Sequence, residues 1–257
     1  MNTVSIIFPA RSRIKLTEEL LLSIENRTKN KHLIEVIGVC DHDDSETISL
    51  FQEIAPKLSY EFKFISKRFR ILLDLPNDYY CPALDLSEGS YFKWILGNDC
   101  LIETQDWDLE LEKIISSASF QSDFVSNKYY YISISDDTHW RGDARLRAGD
   151  YAECCCFPIV SSNYCLDLNE FYPRELPTWG GDTKLFTLAK DSGKFTILDY
   201  HSKISILHRS YHNKSWEQDK ISNRMANFHV DKTSVVNDSP SLRALLRDIA
   251  EKRAAFL

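Results

Sequence analysis

Apolar positions early in the chain fall into short unbroken runs, separated by stretches in which they recur at helical spacing. Val4 to Pro9 reads as a strand, Ala10-Arg11-Ser12-Arg13 as a polar loop, and Leu16, Leu20, Leu21 and Ile24 as one face of a helix. Thr17, ahead of Glu18 and Glu19, is the expected cap, with acids at the positive end of the helix dipole. Leu33 to Cys40 forms a second strand ending in Asp41-His42-Asp43-Asp44-Ser45, and a helix from Glu46 to Ala55 stops before Pro56. Glu61 to Ile65 is a third strand, followed by Lys67, Arg68 and Arg70. Tyr91 to Leu96 is another, and it breaks abruptly at Gly97-Asn98-Asp99. Runs apolar on both faces, alternating with helices, predict an α/β fold with a mostly parallel sheet. In such sheets ligands bind beyond the carboxyl ends of the strands, so Asp41 and Asp99 are expected on one edge. Gly-Asn-Asp is also ordinary turn chemistry.

The later part carries weaker patterns. Asp123 to Ser135 alternates as a half-buried strand does, and Asp136 to Glu153 is a charged, glycine-containing loop with Arg141, Arg145 and Arg147. Phe157 to Val160 and Ile204 to His208 read as strands. Thr183 to Asp191 reads as a helix with Leu185, Phe186, Leu188 and Ala189 apolar, headed by Trp179-Gly180-Gly181-Asp182. Val230 to Pro240 is polar and hinge-like, and Ser241 to Leu257 places Leu242, Leu245, Leu246 and Ile249 on one face of an amphipathic helix.

Composition sets the outer limits. A chain of 257 residues, 43% hydrophobic, supports one sizeable core. A net charge of -7 and a pI near 5.5 argue against a nucleic-acid binder. Asn2 to Pro9 lacks a basic start and a cleavage site, and no apolar run reaches the ~20 residues of a spanning helix, so a cytoplasmic location is expected. The seven cysteines, Cys154, Cys155 and Cys156 being adjacent, lack the Cys-x-x-Cys pairs of a zinc site and read as reduced and mostly buried.

VSIIFPARSR, IEVIGVCDHDDSET and YFKWILGNDC with the following Trp107 together resemble the GT-A fold nucleotide-diphosphosugar transferases, in particular family-2-like glycosyltransferases of surface-polysaccharide synthesis. The resemblance is good over roughly residues 3 to 110 and looser beyond. It implies a Rossmann-like α/β GT-A domain over 1–235, with a nucleotide-binding half to about 110, an acceptor-binding half over 111–235, and a helical extension over 236–257. It also implies a nucleotide pocket built from Pro9, Arg11, Arg13, Asp41, Lys67, Arg70 and Asn98, with Asp41 on the base. The family's metal-binding Asp-x-Asp motif falls on Gly97-Asn98-Asp99, where the last residue alone is acidic.

Cleaving a sugar-phosphate bond leaves a nucleoside diphosphate whose charge needs a divalent cation or Lys and Arg. Mg²⁺ or Mn²⁺ accepts few protein ligands when phosphates and waters fill the rest, so Asp99 suffices as one. His208 is the second metal ligand the resemblance implies, with His212 next; a strand-capping histidine is the alternative. Asp182 is the implied base for the attacking hydroxyl in an inverting transfer, or else an N-cap. Trp179 and Gly181 would flank the acceptor, although a core Trp is commoner. The implied partners are a nucleotide-sugar donor, UDP-sugar ahead of GDP-sugar, and a glycan or lipid-linked acceptor. The C-terminal helix packs on its own domain, on another copy, or at a membrane periphery, in that order. Two other readings stay open. A sugar-1-phosphate nucleotidyltransferase would need a glycine-rich loop where Pro9-Ala10-Arg11-Ser12-Arg13 stands, and a binding module without catalysis would tolerate the incomplete acidic motif.

Overall fold

A computed structural model describes residues 1–68, 74–87, 89–136, 154–174 and 181–209. Arg70, the loop arginines Arg141, Arg145 and Arg147, Trp179, His212, the Val230 to Pro240 segment and the C-terminal helix lie outside the described residues. In chain order the elements are β1 (Asn2–Ala10), α1 (Ile14–Arg27), β2 (Ile34–Asp41), α2 (Ser45–Ile54) and β3 (Glu61–Lys67). A π-helical turn, Leu75–Tyr80, leads into α3 (Cys81–Leu86), then β4 (Ser90–Ile95), β5 (Cys100–Ile102), α4 (Asp108–Ile115) and α5 (Ala118–Val125). β6 (Tyr129–Ser133), β7 (Ser135–Asp136), β8 (Ile159–Ser161), α6 (Ser162–Leu168), α7 (Gly181–Asp191), β9 (Phe195–Asp199) and β10 (Ser205–His208) complete the described chain.

Seven strands form a central sheet in the order β3-β2-β1-β4-β8-β6-β9, with β3, β2, β1 and β4 mutually parallel. β8 runs antiparallel to both β4 and β6, and β9 returns parallel to β6. A smaller sheet, β5-β10-β7, packs beside it. Every residue of β2 is buried because both faces of the sheet are covered. On one face Phe8, Phe92 and Trp94 meet Leu20, Leu21, Phe51, Trp107 and Phe120; on the other, Ile7, Ile37 and Ile95 meet Tyr79, Tyr164, Leu185 and Phe186. Trp94 and Trp107 cross edge to face at 5.1 Å, and Asp108 accepts from the backbone N–H groups of Lys29 and Asn30 at 2.9 and 2.8 Å, fixing α4 against the chain that enters β2.

Two sequence expectations fail here. Thr17 is not the cap of α1: the helix begins at Ile14, Arg13 occupies the cap position without a side-chain bond, and no acid lies in the first turn. Thr17 is instead buried one turn in, where its hydroxyl accepts from Asn98. The stretch from Asp123 to Ser135 is not one half-buried strand. Its start belongs to α5, capped by Ser117 and carrying Phe120 stacked on Phe124, and β6 is buried on both faces. Alternation misleads in β6 because its three tyrosines and Ser133 are themselves buried; Tyr130 and Ile132 face one core, Tyr129 and Tyr131 the other.

Away from the C-terminal edge, buried Ser5, Glu35 and Lys93 and half-buried Lys63 form a polar row across β1 to β4. Glu35 accepts from Ser5 at 2.6 Å and Lys63 at 2.9 Å, and Lys93 donates to Ser87 at 2.6 Å. Burial pushes the Lys93 ammonium pKa down, so these hydrogen bonds are what keep the row tolerable inside the sheet.

Gly38 marks the tightest packing of helix on sheet. A Cβ there would stand 2.8 Å from the Phe51 ring. Gly38→Ala should therefore lower unfolding stability by about 1–3 kcal/mol, read from a urea midpoint at unchanged slope; an unchanged midpoint would mean that α2 is not seated this closely.

Candidate active site

Three neighbouring parallel strands end together, with rungs Ala10↔Cys40 and Ile7↔Ile95 setting the level of the edge. Pro9, half-buried, lies past the last β1-β4 rung, where its missing N–H costs no ladder bond on that side. Asp41 is the last residue of β2 and has no exposed surface. The first residue after β1, Arg11, donates to Asp41 Oδ2 at 2.7 Å and to both oxygens of Asp43 at 2.7 and 3.1 Å. Tyr79, from the π-helical turn, donates its hydroxyl to Asp41 Oδ1 at 2.6 Å. The hydrogen bond from Arg11 holds the Asp43 carboxyl below its usual range, and the two carboxylates in turn keep Arg11 protonated more firmly than usual. Lys67 ends β3 opposite Asp41, and its carbonyl accepts from His42 N–H at 2.8 Å.

Between the two loop arginines Ser12 adopts a left-handed backbone (φ 52°), and its N–H donates to Asp44 Oδ2 at 2.8 Å. Asp44 also caps α2 through Thr47, so the loop after β1 is tied to the loop after β2. The turn at Ser12 sends Arg13 the other way, where it donates to Asp99 Oδ2 at 2.7 Å and reaches Asn98 Oδ1 at 3.4 Å. Asn98 in turn donates to Thr17 Oγ1 at 3.0 Å, anchoring the Gly-Asn-Asp turn on α1. A Cβ at Gly97 would lie 2.5 Å from Asp99 Oδ1, so a larger residue there would push the carboxylate aside.

β10 brings the histidine. Its antiparallel pairing with β5 sets His208 opposite Cys100, so His208 Nε2 lies 3.2 Å from Asp99 Oδ1. The next residue, Arg209, donates its N–H to the Asp99 carbonyl at 2.9 Å and pairs through its guanidinium with Glu19 on α1. Phe157 stacks edge-on against His208 at 5.2 Å. Asp99 and His208 thus offer one oxygen and one nitrogen donor to a common point, a set that fits Mn²⁺ or Mg²⁺ carrying phosphate oxygens and waters. Among the described residues no group of three or more His, Cys, Asp and Glu forms a fuller cage.

Asp182 sits inside the first turn of α7, a residue past its start at Gly181, which packs on the Tyr172 ring. Burial pushes the Cys154 thiol and the Tyr172 phenol well up, and the Asp182 charge adds to both shifts, placing the carboxylate near these groups. Tyr172 donates to the Cys156 carbonyl at 2.9 Å, and Cys156 N–H donates to Asp136 on β7 at 2.6 Å, next to β10. The 154–157 segment thereby spans from the head of α7 to His208. Thr17 is expected as a cap and Asp43 lies in the acidic run after β2, but neither is expected in the site; Tyr79 has no sequence signal of its own and reaches Asp41 across 38 positions of chain.

No protein-family model and no curated protein matches the chain. Among solved structures it is similar to S. aureus TarS 1-349 in complex with UDP, at 15% identity and a TM-score of 0.54, covering 84% of this chain and 62% of that one. It is also similar to TarS 1-349 in complex with UDP-GlcNAc, at 16% identity and a TM-score of 0.51, covering 80% of this chain and 59% of that one. A third is the mannosyltransferase PcManGT from Pyrobaculum calidifontis in complex with GDP-Man and Mn²⁺, at 14% identity and a TM-score of 0.57, covering 98% of this chain and 69% of that one. The chain has the GT-A fold of these glycosyltransferases, and spans about six-tenths of the first TarS structure's length.

All seven cysteines are free, and Cys156 alone among them is half-buried rather than buried. Burial pushes the Cys40 and Cys155 thiols up to about 12. One thiol per native chain should therefore react quickly with Ellman's reagent near pH 8, and Cys156→Ser should abolish that fast phase. A fast phase of two or more thiols would contradict the burial described.

Proposed function

We propose that this protein is a glycosyltransferase that moves a sugar from a nucleoside-diphosphate donor to a hydroxyl of a glycan or lipid-linked acceptor. The observation that carries the reading is the rim at the end of β1, where Arg11 sits on Asp41 and Arg13 on Asp99, with His208 beside the latter. Complexes of similarly folded proteins with UDP, UDP-GlcNAc and GDP-Man support a nucleotide sugar as the ligand. In this reading residues 1 to about 110 hold the donor, 111–235 the acceptor, and 236–257 form an extension.

Each group has a chemical task. Asp41 accepts from the base, with Pro9, Lys67 and Arg70 completing that side of the pocket. Arg13 and Asn98 lie where the diphosphate would pass, and Arg13 can exchange its bond to Asp99 for one to a phosphate oxygen. Asp99 and His208 would hold Mn²⁺ or Mg²⁺, which when bound neutralises the charge of the departing diphosphate. Asp182 removes the proton of the acceptor hydroxyl as its oxygen bonds to the anomeric carbon. The carbon-oxygen bond to phosphate breaks on the opposite face, and its electron pair leaves with the nucleoside diphosphate, inverting the centre. Gly181, at the head of α7, flanks the acceptor, and the proposed role of Trp179 is to do so as well. The site needs no membrane-spanning part, and no described helix is long and apolar enough to cross one; the reading includes a cytoplasmic enzyme.

A thermal-shift panel of UDP and GDP with and without Mn²⁺ tests this, because a ligand at a hundredfold excess over its Kd stabilises the native state by about 2.7 kcal/mol. At least one nucleotide should raise the melting temperature further with Mn²⁺ than without it, and Asp99→Ala should erase that increment. Retention of the full increment in Asp99→Ala would remove Asp99 from the metal site. Binding with no turnover of any donor, with acceptor glycans supplied, would make the chain a binding module instead.

A further inference from the structure

We infer that Glu19 on α1, through its ion pair with Arg209, positions His208 for metal binding. This rests on the reading that Asp99 and His208 hold the ion. What carries it is that one helix brackets both ligands. Asn98, the residue before Asp99, donates to Thr17 Oγ1 at 3.0 Å, and Arg209, the residue after His208, pairs with Glu19 two positions further along the same helix. A turn later on α1, Ser23 Oγ accepts from the Ile102 N–H of β5 at 3.1 Å. The turn that carries Asp99, the strand that follows it and the strand that delivers His208 are therefore all seated on α1.

Such seating matters because the two ligands come from distant parts of the chain and His208 is the last residue of β10. Strand ends open more readily than strand centres. The β5-β10 ladder reaches His208 opposite Cys100, and past that rung the Arg209 N–H donates to the Asp99 carbonyl at 2.9 Å. Arg209 thus bonds to the backbone of one ligand, follows the other in the chain, and is held from α1 through its guanidinium. The resulting spacing suits an ion. His208 Nε2 stands 3.2 Å from Asp99 Oδ1, and adjacent ligands of an octahedral ion with bonds of about 2.1 Å stand about 3.0 Å apart. With Arg209 released, the ion itself would have to order the end of β10, and that ordering would be taken from its affinity. Glu19 and Arg209 are both half-buried, so the pair contributes little to the stability of the whole fold and acts on the site instead.

Mn²⁺ titrated into the whole protein, alone and with UDP or GDP present, tests this when the free ion is followed by electron paramagnetic resonance. Glu19→Ala should weaken Mn²⁺ binding about tenfold, the lower end of what removing a ligand-orienting residue does. The melting temperature of the metal-free protein should move by no more than about 3 °C. Glu19→Gln removes the charge but keeps an oxygen acceptor for Arg209, and should stay within about threefold of wild type. In pulsed spectra at Mn²⁺ saturation, the nitrogen modulation of a bound imidazole should be present in the wild type and diminished in Glu19→Ala. Wild-type Mn²⁺ affinity or undiminished modulation in Glu19→Ala would overturn the positioning role while leaving Asp99 and His208 as ligands. So would a loss in Glu19→Gln as large as in Glu19→Ala, which would mark a field effect, or a larger fall in melting temperature, which would assign Glu19 to the fold. No Mn²⁺ binding by the wild type under any of these conditions, or binding unaltered in Asp99→Ala, would instead overturn the metal reading and this inference with it.

Discussion

Two carboxylates held almost out of water at the end of a sheet must each find a cation, and the exit of a single strand supplies both. Asp41 and Asp99 are respectively fully and nearly fully buried, a state that costs several kcal/mol per ion without a partner. β1 lies between β2 and β4, so the residues leaving it are within reach of both neighbours' ends. The left-handed turn at Ser12 is what lets Arg11 and Arg13 diverge, and Asp44 fixes that turn through its bond to Ser12 N–H. The edge is thus preassembled as paired charges. In the proposed function each arginine would hold the place of a ligand group, so that an arriving donor would exchange partners instead of desolvating bare ions, which keeps the cost of binding low.

The small sheet turns this edge into a two-sided site. Pairing of β5 with β10 joins the turn that carries Asp99 to a strand from far along the chain, and the register rather than any local motif puts His208 against the carboxylate. Arg209 reinforces the same junction from both sides, through the Asp99 carbonyl and through Glu19. The 154–157 segment extends the junction toward the head of α7, so Asp99, His208 and Asp182 share one continuous scaffold.

The parallel core was legible in the sequence because strands buried on both faces leave unbroken apolar runs, and β1, β2 and β4 lie within a residue or two of where those runs stand. The mostly parallel sheet follows from that order, and the GT-A fold is what the family resemblance implies. Errors arose where one residue type serves two purposes. Thr17 has the chemistry of a cap but is spent on Asn98, and the tyrosines of β6 look amphipathic yet fill two cores. At the site, Asp41 and Asp99 were visible because each ends an apolar run. Tyr79 was not, since a tyrosine in Leu75–Tyr80 becomes meaningful through its contact with a strand 38 residues earlier in the chain, and distance in sequence hides such pairs.

The central claim is that Asp41 and Asp99 grip opposite ends of one activated sugar. A crystal structure of the protein with a non-hydrolysable UDP-sugar and Mn²⁺ tests it most directly. The account predicts the base within hydrogen-bonding distance of Asp41, and the diphosphate and metal at Asp99 and His208. A nucleotide bound elsewhere, or one that contacts a single end of this rim, would contradict it.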